Sequence, residues 1–509
     1  MKNTVLTFLA DRLKCHADKT AIVDGEKRIS FQEMDIAAKR LGCQITKRSH
    51  SVRQPVAVLL PKSAESIVAF IGILYSGNFY VPLDESLPVA RIKTILENLE
   101  PQFIIASPTE QELLIELGYS SKQLIFIADA YNEAIPVDET GLTATLAAVI
   151  DTDPVYTIYT SGSTGIPKGV VVAHRGVIDY IDWAVECFDI DSTVIIGNQS
   201  PFYFDNSTLD IYLMLATGAT LMIIPKQLFA YPLRLMEYVE SNSINFIFWV
   251  PSVMIQVANL RILENMSRSP LTRILFAGEV MPNKHLNYWR KFIPQALYAN
   301  LYGPTEITVD CTYYIVERAF GDRDPLPIGI PCRNSDVLVL NRENRLVEGA
   351  ESGELCVRGS SLALGYWNDQ LKTAAVFVQN PLQDKYPERI YRTGDLVAYN
   401  AFKEIIFLGR KDNQIKHMGY RIELGEIETN VLGLAEIHNA CVIYDKERSE
   451  IILFYQADEK ISSNDIRRQL AKILPKYMIP TKMHLVKALP VNANGKIDRG
   501  ALLMAAGLS

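Results

Sequence analysis

At 509 residues the chain exceeds what one hydrophobic core usually organises, so two or more domains are expected. Its 48% hydrophobic and 21% charged residues are ordinary for a soluble globular protein. A net charge of −7 argues against a nucleic-acid surface, and no apolar run approaches a membrane span, so neither nucleic acid nor membrane insertion is expected.

Asp11, Arg12 and Lys14 interrupt the N-terminus too early for a signal-peptide core. Seven scattered cysteines without a CxxC pair point to reduced thiols, mostly small buried hydrophobes, and to a cytoplasmic protein. From there, short β-branched or aromatic runs alternate with longer amphipathic stretches. A strand at 56–60 precedes a helix at 64–75. Strands at 244–250 and 273–276 precede helices at 252–260 and 283–292. This alternation predicts an α/β fold with largely parallel strands. Beyond Gly329 the texture changes, and 336–340, 353–358 and 404–408 read as strands of a small barrel-like β part. A boundary near 409–412 separates a large N-terminal domain (1–409) of layered α/β subdomains from a small α+β C-terminal domain (410–509). The latter is read as helix 424–434, strands 440–444 and 451–456, and helix 464–473.

The segment YTSGSTGIPKG at 159–169 follows an apolar run and supplies three glycines, hydroxyl groups and a terminal Lys168. Such a turn, dense in N–H and O–H donors, can wrap a polyphosphate. It is not a Walker loop, because Pro167 stands where a helix would begin. Taken alone, a Gly/Ser/Thr run is as easily a solvated linker, but this one has strand-like sequence at both ends.

This segment resembles the phosphate-binding signature of the adenylate-forming superfamily: acyl-CoA synthetases, luciferases and nonribosomal peptide synthetase adenylation domains. Further matching motifs follow in order, namely YVPLD at 80–84, YGPTE at 302–306, GELCVRG at 353–359 and YRTGD at 391–395. GRKD at 409–412, GYRIELGEIE at 419–428, LPKYMIP at 474–480 and NGKID at 494–498 complete the set. The resemblance implies ATP and Mg2+. Thr160, Ser161, Gly162, Ser163, Thr164, Gly165 and Lys168 would hold phosphates, with Thr305 and Glu306 near the α-phosphate and Glu306 on the metal. Tyr302 would stack on adenine, while Asp395, placed at a strand-to-loop step, and Arg410 would meet the ribose. Lys496 would be the catalytic cation. Asp412 would be the hinge of a mobile C-terminal lid, and Gly419 and Tyr420 would line a thiol channel. His417 and Met418 depart from the family's pattern, which leaves the partner of a pantetheine phosphate open.

PFYFDNS at 201–207 bears on the acid activated. Phe202, Tyr203 and Phe204 read as core residues. An unpaired buried carboxylate is costly, and a substrate ammonium would pair with Asp205; the alternative is an N-cap for the helix expected at 208–215, which Asp205 or Ser207 could supply. Amino-acid-activating members carry aspartate here. By the same matching, Asn206, Leu209, Phe248, Leu275, Ala277, Leu301, Val309 and Asp310 complete a small pocket of the alanine, serine or glycine type. Asp310 at its floor would bond a serine hydroxyl or stay solvated. FAGEVMP at 276–282 and DNSTLDIY at 205–212 resemble the D-alanine–D-alanyl carrier protein ligases. The chain stops thirteen residues beyond Lys496, so the expected acceptor is a phosphopantetheinylated carrier protein met in trans. An acyl-CoA synthetase using coenzyme A is the alternative. A non-catalytic nucleotide sensor is disfavoured by intact Lys168, Glu306, Asp395 and Lys496.

Overall fold

A computed structural model describes residues 2–162, 166–266, 268–349, 351–412, 414–446, 448–490, 497 and 499–505. Contacts divide the chain into two compact units. The first comprises 1–85, 99–158 and 169–411, and the second 86–98, 159–168 and 412–509.

The first unit is built on layered α/β sheets, as the alternating pattern predicts. A nine-stranded sheet runs Ile330–Pro331, Thr312–Ile315, Leu297–Tyr302, Arg273–Phe276, Phe246–Trp249, Ile195–Asn198, Thr220–Ile223, Thr20–Asp24 and Lys27–Ser30. Its central strands pair in parallel and its edges are antiparallel. Pro55–Leu59, Phe79–Pro82, Phe103–Ala106 and Leu124–Phe126 belong to a seven-stranded sheet that also contains Pro154–Thr160 and Lys168–Ala173. One buried cluster joins side chains of both sheets with those of helices Phe31–Arg48, Ala64–Tyr75, His174–Cys187 and Asn206–Thr217. Ala64–Tyr75 is apolar on nearly every face, so it is buried all round. The barrel-like part is an open half-barrel of five antiparallel strands around Gly353–Gly359 and Arg389–Tyr399.

In the second unit, Asn439–Asp445 and Glu450–Gln456 pair antiparallel, and Lys482–Leu485 adds in parallel. Helices Leu424–Leu432 and Ser463–Leu470 contribute to their core. Gln414–His417 and Tyr420–Glu423 form a hairpin whose two turn residues, Met418 and Gly419, both have positive φ (52° and 82°). That is the twist-compatible geometry of a two-residue hairpin. Cys311, Cys332, Cys356 and Cys441 are buried as expected, whereas Cys15 is exposed and Cys43 and Cys187 are partly so. No helix among the described residues is long and apolar enough to cross a membrane.

Candidate active site

The parallel strands of the nine-stranded sheet alternate their side chains between two cores. Phe248, Leu275, Ala277 and Leu301 lie in one core, while Trp249, Ile274, Phe276 and Tyr298 lie in the other. The first four therefore share a face near the carboxyl ends of their strands, together with Leu209 and Val309. After Ile195–Asn198 the chain forms the neighbouring strand Thr220–Ile223, then crosses to Phe246–Trp249 on the other side. Parallel sheets bind ligands beyond such a crossing point. The loop carrying Asp205 leaves from there.

Asp205 is 8% exposed and occupies the N-cap position of Asn206–Thr217, but its side chain makes no capping bond. Its backbone is already helical there, so the carboxylate is not presented to the first N–H groups. Asp205 therefore does not cap the helix, and Ser207 lies inside it with Oγ donating back to the Phe204 carbonyl at 2.6 Å. Asn206 is half-buried, Phe202 is buried, and Tyr203 and Phe204 are only partly so. Asp310 is not solvated. It is 2% exposed, and Tyr180 Oη donates to its Oδ2 at 2.7 Å.

The stretch from Tyr302 to Asp310 is tightly folded on itself. Gly303 passes so close to the returning chain that an added Cβ would lie 2.2 Å from the Val309 carbonyl oxygen. Thr305–Ile307 form a single 3-10 turn, after which Thr308 and Val309 both take positive φ (58° and 69°). A β-branched residue rarely adopts that conformation, which marks stored strain. Glu306 is fully buried, with Tyr366 Oη donating to its Oε1 at 2.8 Å. Its second carboxylate oxygen is a hard donor of the kind Mg2+ takes. Among the described residues no group of three or more His, Cys, Asp or Glu side chains is placed to hold a metal ion.

Asp395 does not end its strand as expected. It lies inside Arg389–Tyr399, within the irregular stretch between Arg392 and Leu396 where the register shifts and Gly394 takes φ 77°. Such a bulge re-aims a side chain within an otherwise regular ladder. Arg410 Nη1 donates to Asp395 Oδ1 at 2.7 Å and Tyr302 Oη donates to Oδ2. Burial, then the Asp395 charge, holds the Tyr302 hydroxyl protonated and therefore donating.

Thr160, Ser161, Gly162 and Lys168 belong to the second unit. Gly162 cannot carry a side chain, because a Cβ would meet the Ile166 carbonyl oxygen at 2.0 Å. Ser161 Oγ donates to the Arg421 carbonyl at 2.8 Å. Thr160 Oγ1 is buried with no hydrogen-bond partner among the described residues, an orphan a phosphate oxygen would satisfy. In the same unit Arg91 donates to Glu426, whose carboxyl is raised by burial against the opposing pull of Arg91 and the Gly162 N–H. His417 is buried with Nδ1 3.2 Å from Tyr444 Oη, and Tyr420 stacks on Tyr477 at 3.6 Å. Asp412 Oδ1 accepts from the Gln414 N–H at 3.1 Å. Ser163, Thr164, Gly165 and Lys496 lie outside the described residues.

Sequence reasoning missed Tyr180 and Tyr366, the hydroxyls that hold Asp310 and Glu306. Both are single tyrosines far along the chain from the carboxylates they meet, with no local motif to mark them.

Residues 9–367 match the family model described as AMP-binding enzyme, and 426–496 match the AMP-binding enzyme C-terminal domain. The chain is 31% identical over 500 residues to tyrocidine synthase 1 of Brevibacillus parabrevis, covering 97% of this chain but only 44% of that protein. It is 32% identical over 497 residues to zwittermicin A synthase ZmaJ of Bacillus cereus, covering 96% of this chain and 92% of the relative. Among solved structures, the Vibrio cholerae adenylation domain AlmE in complex with glycyl-adenosine-5'-phosphate has a TM-score of 0.84 at 22% identity, covering 99% of this chain and 98% of that one. The chain belongs to the AMP-binding enzyme family, and so to the adenylate-forming superfamily its motifs resemble.

Proposed function

We propose that the protein activates a small amino acid with ATP and passes it to a carrier-protein thiol. In the first step a substrate carboxylate oxygen attacks the α-phosphorus, a new P–O bond forms and pyrophosphate leaves. In the second the thiolate of a phosphopantetheine arm attacks the acyl carbon and AMP leaves. Such chemistry asks the protein chiefly for positioning and charge stabilisation.

In this reading Tyr302 offers adenine an aromatic face, and Asp395 with Arg410 meets the ribose. Thr305 and Glu306 serve the α-phosphate, with Glu306 the ligand of a Mg2+ that neutralises phosphate charge. Thr160 to Gly165 and Lys168 take the outer phosphates, and Lys496 bridges carboxylate and α-phosphate. Asp412 is the hinge about which the C-terminal part turns between the two steps, and Gly419 and Tyr420 line the approach of the thiol.

The amino-acid assignment rests on Asp205, a carboxylate 8% exposed that does not cap the helix it begins. A substrate ammonium is the opposite charge that suits a carboxylate so deeply placed. The test is ATP–pyrophosphate exchange with a panel of amino acids and short non-amino acids. Exchange with amino acids, lost in Asp205→Ala and in Lys496→Ala, is the expected result. Exchange restricted to non-amino acids and unaffected by Asp205→Ala refutes the assignment in favour of a coenzyme A ligase.

A further inference from the structure

The motif GELCVRG at 353–359 has no part in the chemistry above, yet its Glu354 is a carboxylate 6% exposed in the half-barrel strand Gly353–Gly359. A buried charge is costly unless it is paired. Glu354 has three donors. Arg392 Nη1 and Lys411 Nζ donate to its Oε2 at 2.7 and 2.8 Å, and the Gly394 N–H donates to its Oε1 at 3.2 Å. The two cations account for the charge. The third contact is to backbone, and it falls on the residue just before Asp395.

The bulge gives that contact its consequence. Glu354 lies opposite Leu396 and Cys356 opposite Arg392, so Thr393, Gly394 and Asp395 together face Leu355 alone. Extra residues on one strand lose their ladder partners, and their N–H and C=O groups must find others. Here they do so in a closed set. Gly394 takes φ 77°, its N–H goes to Glu354, and its carbonyl accepts from the Lys411 N–H at 2.9 Å. The Asp395 N–H goes to Thr393 Oγ1 at 3.0 Å, and that hydroxyl donates in turn to the Leu355 carbonyl at 2.7 Å. Lys411 thus holds Gly394 by its backbone and Glu354 by its side chain. Gripped on both sides, Gly394 sets the direction in which Asp395 leaves the ladder. On the neighbouring strand Arg410, next in sequence to Lys411, donates to the Asp395 carboxylate.

We infer that Glu354 is a positioning residue for the nucleotide: by holding the Gly394 N–H it fixes the bulge that aims Asp395 at the ribose. The inference rests on the ribose reading of Asp395. The arrangement asks for a carboxylate of this length. Both oxygens accept, so an amide in its place must set its NH2 against donors on one side or the other. A carboxylate one methylene shorter keeps its charge for the long side chains of Arg392 and Lys411, which can follow it. It withdraws from the Gly394 N–H, which the main chain holds in place.

The experiment is calorimetric titration of the full chain with ATP, 2'-deoxy-ATP and 3'-deoxy-ATP in the presence of Mg2+, for wild type, Glu354→Gln, Glu354→Asp and Asp395→Ala. A carboxylate that hydrogen-bonds a ribose hydroxyl should favour ATP over at least one deoxy analogue by about 10- to 100-fold in Kd. Asp395→Ala should bring that ratio towards unity. Glu354→Gln and Glu354→Asp should each lower it by about tenfold, the worth of one charged hydrogen bond. A merely structural role would weaken ATP and its analogues together and leave the ratio unmoved. A wild-type ratio in Glu354→Asp overturns this inference while the ribose reading stands, because ion pairing alone would then be what Glu354 supplies. A wild type that binds all three nucleotides alike, or a preference untouched by Asp395→Ala, removes the ribose reading and this inference with it. Glu354→Asp retains the buried charge pairs, so it decides the matter even if Glu354→Gln fails to fold.

Discussion

Gly303→Ala isolates the close approach on which the site's geometry depends. Gly303 needs no positive φ, so the only obstacle to alanine is space. The new methyl would lie 2.2 Å from the Val309 carbonyl oxygen, 2.6 Å from the Asp310 Cα and 2.7 Å from the Ile307 Cδ1, where ordinary contacts begin at 3.4 Å. The chain must open by about 1 Å, and the first two obstacles are backbone atoms of a turn already strained at Thr308 and Val309. Overpacking of this kind costs about 1–3 kcal/mol, a modest part of the stability of so large a unit. The catalytic loss should be larger in proportion, because a misplacement of about 1 Å can cost about 100-fold in rate. Thermal unfolding and pyrophosphate exchange at saturating ATP read the two effects separately. The expected result is a melting temperature lower by a few degrees and a kcat down by about two orders of magnitude. Gly433→Ala is the control, since its nearest neighbour, the Asn430 carbonyl oxygen, would stand at 3.3 Å and its φ is −72°. Exchange within threefold of wild type in Gly303→Ala would show that this contact does not hold Thr305 and Glu306 in place.

His174 is buried with its Nδ1 accepting the Val5 N–H, and burial, opposed by Asp153 and Asp151, pushes its pKa from 6.5 to about 4. The unfolded chain therefore binds more protons between those values, so about 3 kcal/mol of stability present above pH 6.5 is lost as pH falls through 4. Urea titrations from pH 4 to 7 should show that slope in wild type and not in His174→Gln; equal slopes refute it. Lys62, also buried, donates to the carbonyls of Asn198 and Gln199 at 3.1 and 3.0 Å, at the root of the loop that carries Asp205. Lys62→Met should raise the KM for the amino acid by about tenfold, the worth of one charged hydrogen bond, with a smaller change in KM for ATP. A uniform loss for both substrates would mean that Lys62 serves the fold alone. Asp395→Asn removes the charge that accepts from Tyr302 and Arg410, and should raise the KM for ATP by roughly 10- to 100-fold at little cost in stability. An unchanged KM would place the ribose elsewhere.

The helices Ala64–Tyr75 and Asn283–Phe292 and the strand Arg273–Phe276 have the bounds that hydrophobic periodicity alone predicts. Each is a local pattern whose period is read without knowing what it packs against. Asp395 was legible as a residue but not in its setting, because the bulge that turns it depends on the register against Glu354 and Cys356, about forty residues away. The positive φ of Val309 was invisible for the opposite reason. Local preference argues against it, and tertiary contacts around the turn, among them those of the neighbouring Thr308 with Gly176 and Ser361, hold it there. Gly303 carried a trace of that close approach. The alternatives open at Asp205 could not be separated from the sequence, because capping depends on the backbone angle at one residue.

The strain between Tyr302 and Asp310 has a consequence for how substrates are told apart. Tyr302, Thr305, Glu306, Val309 and Asp310 lie within nine residues of backbone, closed on itself at Gly303 and braced at both Thr308 and Asp310. A group that touches Asp310 therefore pushes on the same rigid turn that carries Glu306. Packed and strained elements move as units rather than bending residue by residue. Were Asp310 to meet the substrate side chain and Glu306 the phosphates, as the family matching proposes, discrimination would fall on kcat as well as on KM, because side-chain binding energy would then help hold the reacting groups in place.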